Sequence, residues 1–334
     1  VTTVIRRRGP FVALLGTLGL LLGACASGPS QVNAAAIVGG KTITVDRIQD
    51  LVERAVKAEP AARSLADQRK LGLFSREALK QLVQHELVEH YAAKEHITVD
   101  PGKVSEFARQ MPAAFRQFPT DGSVPANTVV SQAIARVLDP EMIARDYLLM
   151  AEMGDREAAK LTVTFDFTVV SPPEQGKPAG STRDRAMAKA QQLAADPKQA
   201  TKLIEADVAA GQQAATDQVL TPAMASDIAG TVVFGAPANS VAVFKPSPEE
   251  DNWVIAIIRK RNPDGKPSDD PQAQPTAQLA QTLGPRLLES SVAEVGVQIS
   301  PRYGVWDEVA MDIAPSAAET SGAVLPMKNP VAAP

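Results

Sequence analysis

Three histidines, His85, His90 and His96, are the chain's only imidazoles. They are the residues from which proton-transfer or zinc chemistry would be built, so their spacing decides whether either is available. His85 and His96 stand 11 residues apart in a helical-looking segment, about 16 Å along the axis. His90 follows His85 by five residues and lies about 140° round the helix from it. Zinc requires ligands that converge on one point, and this spacing does not converge. The histidines therefore read as solvated or half-buried helix residues, and Glu86, Glu89 and Glu95 as a charged helix face. Serines are many, but none carries the flanking glycines of a nucleophile elbow, and a hydrolase triad has no support. Gly39-Gly40 is not followed by the Lys-Ser/Thr of a phosphate loop and reads as a tight turn. Met111, Met142, Met150 and Met153 are adaptable apolar residues suited to a core or a groove. The expectation is a chain without catalytic, metal or cofactor-binding residues.

Cys25 is the one cysteine, so no intramolecular disulfide is possible. Arg6, Arg7 and Arg8 precede an apolar run from Pro10 to Leu22, which ends in Leu21-Leu22-Gly23-Ala24-Cys25. A short basic region before a short apolar core describes a secretion signal. The run is shorter than the roughly 20 apolar residues of a spanning helix. Its end resembles the bacterial lipobox, which implies cleavage before Cys25 and diacylglycerol on its sulfur. By that resemblance 1–24 is a signal peptide and 25–36 a flexible tether. The body then works at the extracytoplasmic face of a cell membrane, anchored by lipid. Acyl chains contribute about 0.8 kcal/mol of membrane affinity per buried methylene, and this covalent lipid is the only non-protein group expected.

Lys and Arg number 34 against 38 Asp and Glu, a net charge of -4. Without the three signal arginines the balance is 31 against 38, or -7. Such a surface has no electrostatic pull toward nucleic acid or an anionic bilayer. The 310 residues from Cys25 onward (334 less 24) suffice for two domains. Two Trp, three Tyr and nine Phe point to thin, helix-rich cores, and no small-molecule substrate is indicated.

The spacing of apolar residues places a hairpin at 37–44 and a helix from Val45 to Lys57 capped by Thr44. Residues 59–72 read as a loop or broken helix, and 76–95 as the strongest amphipathic helix, capped by Ser75. Asp100-Pro101 and Asp139-Pro140 each start a helix by cap-plus-proline chemistry, with 112–125 a loop between them. A helical domain thus spans 37–157. Composition changes at 158–261: strand 161–170, helices 183–196 and 198–210, β-like pieces at 232–234 and 241–244, and a buried-looking strand at 252–259. A linker, 262–275, leads to a helix at 276–295 bent at Gly284-Pro285. That helix has no late partner and is expected, with the return segment to 313, to pack on the helical domain. Residues 314–334 read as a disordered tail.

Three stretches carry a resemblance. AIVGGKTIT (36–44), LKQLVQHELVEHYAAKEHITVD (79–100) and SPRYGVWD (300–307) resemble the SurA-like and PrsA-like extracytoplasmic chaperones, with Gly39 where that family usually has asparagine. The resemblance implies a multidomain α+β fold: a helical chaperone-like domain completed by a C-terminal helix, with an inserted small parvulin-like α/β domain. The inserted segment departs from the parvulin pattern. The two active-site histidines would fall near Phe167 and Val254, which cannot move a proton, and Asp166 stands unaccompanied. The domain is therefore read as degenerate, binding or spacing rather than catalysing.

The function implied is a membrane-tethered chaperone-like lipoprotein whose partners are unfolded or translocating secreted and envelope polypeptides. Leu79, Val83, Leu87, Tyr91, Phe107, Met111, Phe115, Tyr147, Leu287 and Trp306 are the candidate groove or core residues. Phe115 and Phe118 look the more exposed aromatics, and a contiguous apolar surface patch is expected on the helical domain. The alternatives are an active prolyl isomerase with an atypical site and a structural scaffold for one envelope partner.

Overall fold

The computed structural model describes residues 33–173, 180–247, 249–266 and 274–328. Strands β1 (Ala34–Val38) and β2 (Lys41–Thr44) form an antiparallel hairpin. Its turn residues, Gly39 and Gly40, have φ of +56° and +82°, which side-chain-bearing residues adopt only with strain. Thr44 ends β2 and caps α1 (Val45–Ala58), its hydroxyl accepting the Arg47 N–H. Then follow α2 (Pro60–Asp67), α3 (Leu71–Lys94), α4 (Pro101–Ala114), α5 (Ala126–Ala135) and α6 (Pro140–Ala158). Asp100 and Asp139 cap α4 and α6 by accepting the N–H of Gly102 and Glu141.

Three local expectations are corrected here. A full helix, α2, forms within 59–72, because Ala61, Ala62 and Leu65 find cover. α3 starts at Leu71, so Ser75 is not its cap; the Ser75 hydroxyl instead donates to the Leu71 carbonyl. Pro112 is taken into the end of α4.

β3 (Thr162–Val170), α7 (Thr182–Ala195), α8 (Pro197–Ala209), β4 (Ala214–Leu220), β5 (Ser240–Phe244) and β6 (Trp253–Asn262) form the middle segment. Val232–Phe234, expected as a strand piece, is a buried 3-10 turn. After α9 (Ala277–Val295) come β7 (Val297–Ile299), β8 (Val305–Asp307), β9 (Asp312–Ala314) and β10 (Gly322–Pro326). The middle sheet has the order β10-β5-β6-β3-β4 and is antiparallel throughout.

Strand alternation gives this sheet two buried faces. Val163, Phe165, Ala242, Phe244, Ala256 and Ile258 join the main core shared with the helices. Val241, Val243, Ile255 and Ile257 pack with Ala186, Ala190, Leu193 and Ile204 of α7 and α8. The architecture is mixed α+β, with the sheet continuous with the helical core on one side.

α9 runs unbroken through Pro285 and lies against α6, α3 and the 3-10 turn. β7, directly after it, pairs antiparallel with β1, so the first hairpin and the segment after α9 meet in one three-stranded sheet. The α6–α9 contact is made backbone to backbone. A Cβ at Gly154 would sit 1.9 Å from the Ala280 carbonyl oxygen, and one at Gly284 2.1 Å from that of Met150.

The expected disorder from 314 does not hold for 314–328. Asp307 is buried; its carboxylate accepts the N–H of Val309, Ala310 and Ser321 and so delivers the chain to β10. That strand covers the free edge of β5. Residues 329–334 lie outside the described residues. Truncation after Ser321 removes this cover and exposes a strand edge. It is expected to cost about 2 kcal/mol or more, read as a lowered urea midpoint; an unchanged midpoint would show that β10 only rests on the sheet.

Candidate functional site

The helical body holds an open groove of about 630 Å3 between α1, α2 and the start of α3. Its construction follows from helix geometry. α1 turns Ile48, Leu51 and Ala55 inward, and the neighbouring stripe, Val52 and Val56, is left half-buried beside them. α2 packs through Ala61, Ala62 and Leu65 and presents Ala66 to the groove. The α2–α3 turn, with Arg69 at φ +62°, brings Leu71 opposite Val52 and Val56. Leu71 is 46 % exposed. Among the described residues it is the one large apolar side chain of the helical body left so open, since Val208, Val219 and Met224 belong to the middle segment. Gln49, Glu53, Lys57, Arg63 and Ser75 form a polar rim, and Arg302 of the return segment closes one side. An apolar floor with a mixed-charge rim suits apolar side chains on a polypeptide whose backbone stays solvated at the edge.

The ten candidate residues fall elsewhere. Leu79, Val83, Leu87, Tyr91 and Leu287 are buried in the main core. Phe107, Met111 and Tyr147 lie half-buried in the α4–α6 seam, where the Phe107 and Tyr147 rings stack at 4.9 Å. Phe115 is half-buried with the Arg136 guanidinium 5.2 Å over its ring. Phe118 and Trp306 are half-buried against the main core. None lines the groove. Val52, Val56 and Leu71 were not singled out by sequence. The available signal was Leu71-Gly72-Leu73-Phe74, apolar residues that carry the α3 pattern back past Ser75.

A polar cluster sits where α3, α6 and β2 meet. His85, Glu89 and Asp146 bring ligand atoms within 4.8 Å of one another. His85 Nδ1 is 2.9 and 3.0 Å from the two Asp146 oxygens. Arg145 Nε donates to Glu89 at 2.6 Å, and Lys41 Nζ to Glu86 at 2.6 Å. His85 is therefore not a simply solvated residue but part of a network joining β2, α3 and α6. With Arg145 already on Glu89 and the imidazole on Asp146, the arrangement is one of ion pairs. The bond to Asp146 holds His85 above its ordinary pKa, against burial. Burial holds Asp146 above the usual carboxylate value, against the pull of His85.

Both shifts have one sign. A raised His85 stabilises the fold fully below its ordinary pKa of about 6.5 and loses that contribution as pH rises through the folded-state value. A raised Asp146 likewise favours the fold toward lower pH. His85→Asn is expected to cost about 1 kcal/mol at pH 5.5 and markedly less at pH 8.5. Urea midpoints of both proteins at the two pH values test this, and an equal cost at both would refute it.

No Ser or Thr hydroxyl bonds a histidine ring among the described residues, and no catalytic triad or isomerase site is evident. Phe167 and Val254 are half-buried and apolar, packed toward the main core. Asp166 is 1 % exposed, pairs with Arg259 and accepts the Asp217 N–H, an arrangement that fixes β3 against β6 and β4.

The groove lies within a stretch that matches a known family. Residues 10–128 match the SurA-like N-terminal domain. A SurA-like domain is therefore present in the chain, taking in β1, β2, α1 to α4 and the first residues of α5, and with them every groove residue except Arg302. No curated protein matches the chain. Among the described residues no helix is long and apolar enough to cross a membrane. Cys25 lies outside the described residues.

Proposed function

We propose that this protein is a membrane-tethered, extracytoplasmic chaperone-like lipoprotein that binds unfolded or translocating polypeptides without catalysing a reaction. The observation that carries the reading is an open apolar-floored groove inside a SurA-like N-terminal domain. The groove takes short apolar stretches of a client, and the polar rim leaves the client backbone hydrated, which suits many sequences rather than one. In this reading the middle segment is a degenerate parvulin-like domain. Phe167 and Val254 cannot supply the polar network that would stabilise a twisted X-Pro bond, whose barrier is near 20 kcal/mol.

The lipid on Cys25 holds the body at the membrane. Cys25→Ala is expected to move the protein from the membrane fraction to the soluble fraction; retention in the membrane would refute the anchor. The holdase reading is tested by aggregation of several unrelated denatured proteins in the presence of the full-length protein. Protection of most of them is expected. Protection of none would favour a dedicated scaffold, and accelerated proline isomerisation of a test peptide would overturn the non-catalytic reading.

A further inference from the structure

The Leu71 groove carries charge of the opposite sign to the chain as a whole. The full sequence has a net charge of -4. Of the ionisable side chains that line the groove, three are cations, Lys57, Arg63 and Arg302, and one is a carboxylate, Glu53. All four are exposed. The rim is therefore positive by two, three charges against one. Among the described residues none of the three cations has an ion pair or a side-chain hydrogen bond; Arg302 only lies over the Tyr303 ring, at 5.7 Å.

The fold produces this imbalance by taking the nearby carboxylates elsewhere. Asp50 pairs with Arg54 at 3.0 Å, and neither lines the groove. Glu59, between Lys57 and Arg63 in sequence, is turned into the core, 1 % exposed, with Arg136 at 3.6 Å. Arg69 and Lys70 stand exposed on the turn that leads into Leu71, against Asp67 alone. Exposed ion pairs contribute little to a fold. Leaving these cations unpaired therefore costs the protein almost nothing, and each stays available to a partner.

Taking the groove as the client site proposed above, we infer that it selects apolar segments flanked by carboxylates. The apolar side chains seat on Val52, Val56 and Leu71, and Asp or Glu residues beside them pair with Lys57, Arg63 and Arg302. A polypeptide fits this arrangement better than an anionic bilayer does. The apolar residues lie on a floor between helical walls, which a chain enters and a flat lipid surface does not. A second copy of this chain is a poorer occupant, because two acidic bodies repel.

The electrostatics add a signature. Opposite charge around an interface speeds encounter and rejects like-charged partners. Salt screens it, the Debye length falling from about 10 Å at 0.1 M to about 3 Å at 1 M. Contact between apolar side chains is not screened in this way. The preference for acidic segments is therefore a property of low salt, and binding by the apolar floor outlasts it.

The test is fluorescence anisotropy of three labelled peptides titrated with the full-length protein. All share the core Ala-Leu-Ala-Leu-Ala, flanked on both sides by paired Glu, paired Gln or paired Lys. At about 0.05 M salt the Glu peptide is expected to bind about tenfold more tightly than the Gln peptide, and the Lys peptide about tenfold more weakly; in 1 M salt the differences fall below about threefold. Lys57→Glu combined with Arg63→Glu is expected to reverse the order. Lys103→Glu combined with Arg109→Glu, on α4 and outside the groove lining, changes the net charge equally and is expected to keep the wild-type order. Equal binding of the three peptides overturns the inference and leaves the groove a client site, whereas binding of none removes both. An order altered alike by the two double variants assigns the preference to net charge and overturns the inference. So does an order unchanged by the groove variant, with lost adsorption to phosphatidylglycerol vesicles or lost self-association instead, which assigns the cations to a lipid surface or to a second copy.

Discussion

Gly154→Ala lowers stability by about 3 kcal/mol or more and loosens the late helix from the body. The added methyl would have to sit 1.9 Å from the Ala280 carbonyl oxygen. That neighbour is backbone, so no rotamer change relieves the clash and α9 must shift bodily. Leu279, Leu283, Leu287 and Leu288 are all buried along α9, and a displacement large enough to clear the methyl disturbs each of them. β7 follows α9 after Gly296 alone, so its pairing with β1 is strained as well. Gly72→Ala is the matched control. Its Cβ meets only the end of the Arg76 side chain, at 3.5 Å, and alanine is the better helix former by about 1 kcal/mol. Urea denaturation with limited proteolysis across 276–295 reads both. A Gly154→Ala protein with the wild-type midpoint and an intact helix would show that α6 and α9 are not in this contact in solution.

Leu71→Asp is expected to weaken binding of unfolded polypeptide about 30-fold while leaving the fold intact. The two effects separate because Leu71 is 46 % exposed. Its replacement removes little buried area, and surface changes of this kind usually stay within about 0.5 kcal/mol. In the proposed client complex the same side chain is an anchor on the groove floor, and loss of such an anchor costs about 2 kcal/mol. Val56→Asp, one turn along the opposite wall, is expected to act in the same direction. Fluorescence anisotropy of a labelled, permanently unfolded protein gives the affinities. Wild-type binding by both variants would place the client elsewhere and remove the groove from the mechanism.

Local chemistry was legible wherever it was complete within a few residues. Thr44, Asp100 and Asp139 could be identified as caps because each bonds an N–H two or three positions on. The hairpin at Gly39-Gly40 needs only its own backbone. Features completed from a distance were missed or misread. β4 carries Asp217 at φ +52° and an exposed Val219, so it shows no alternation; its hydrogen bonds come from β3. Val232–Phe234 has a β-prone composition and became a 3-10 turn because it is buried under α9. Gly322–Pro326 is too short and small to announce a strand, and what orders it is the edge of β5.

The site shows the same division. Leu79, Val83 and Leu87 were detectable as a helical stripe, and a stripe does not say whether it faces a core or a client. His85 was judged by its spacing from other histidines, whereas its partner, Asp146, comes from α6.

By itself the sequence determined the long helices and the caps Thr44, Asp100 and Asp139, the central strands β3, β5 and β6, the low aromatic content, and the want of proton-transfer groups at positions 167 and 254. Those properties are set by neighbours along the chain. Only the tertiary structure decided that Val52, Val56 and Leu71 face one another and that two glycines let α9 lie on α6. Each of these is a distance between segments, and distance between segments is fixed by what packs, not by what precedes.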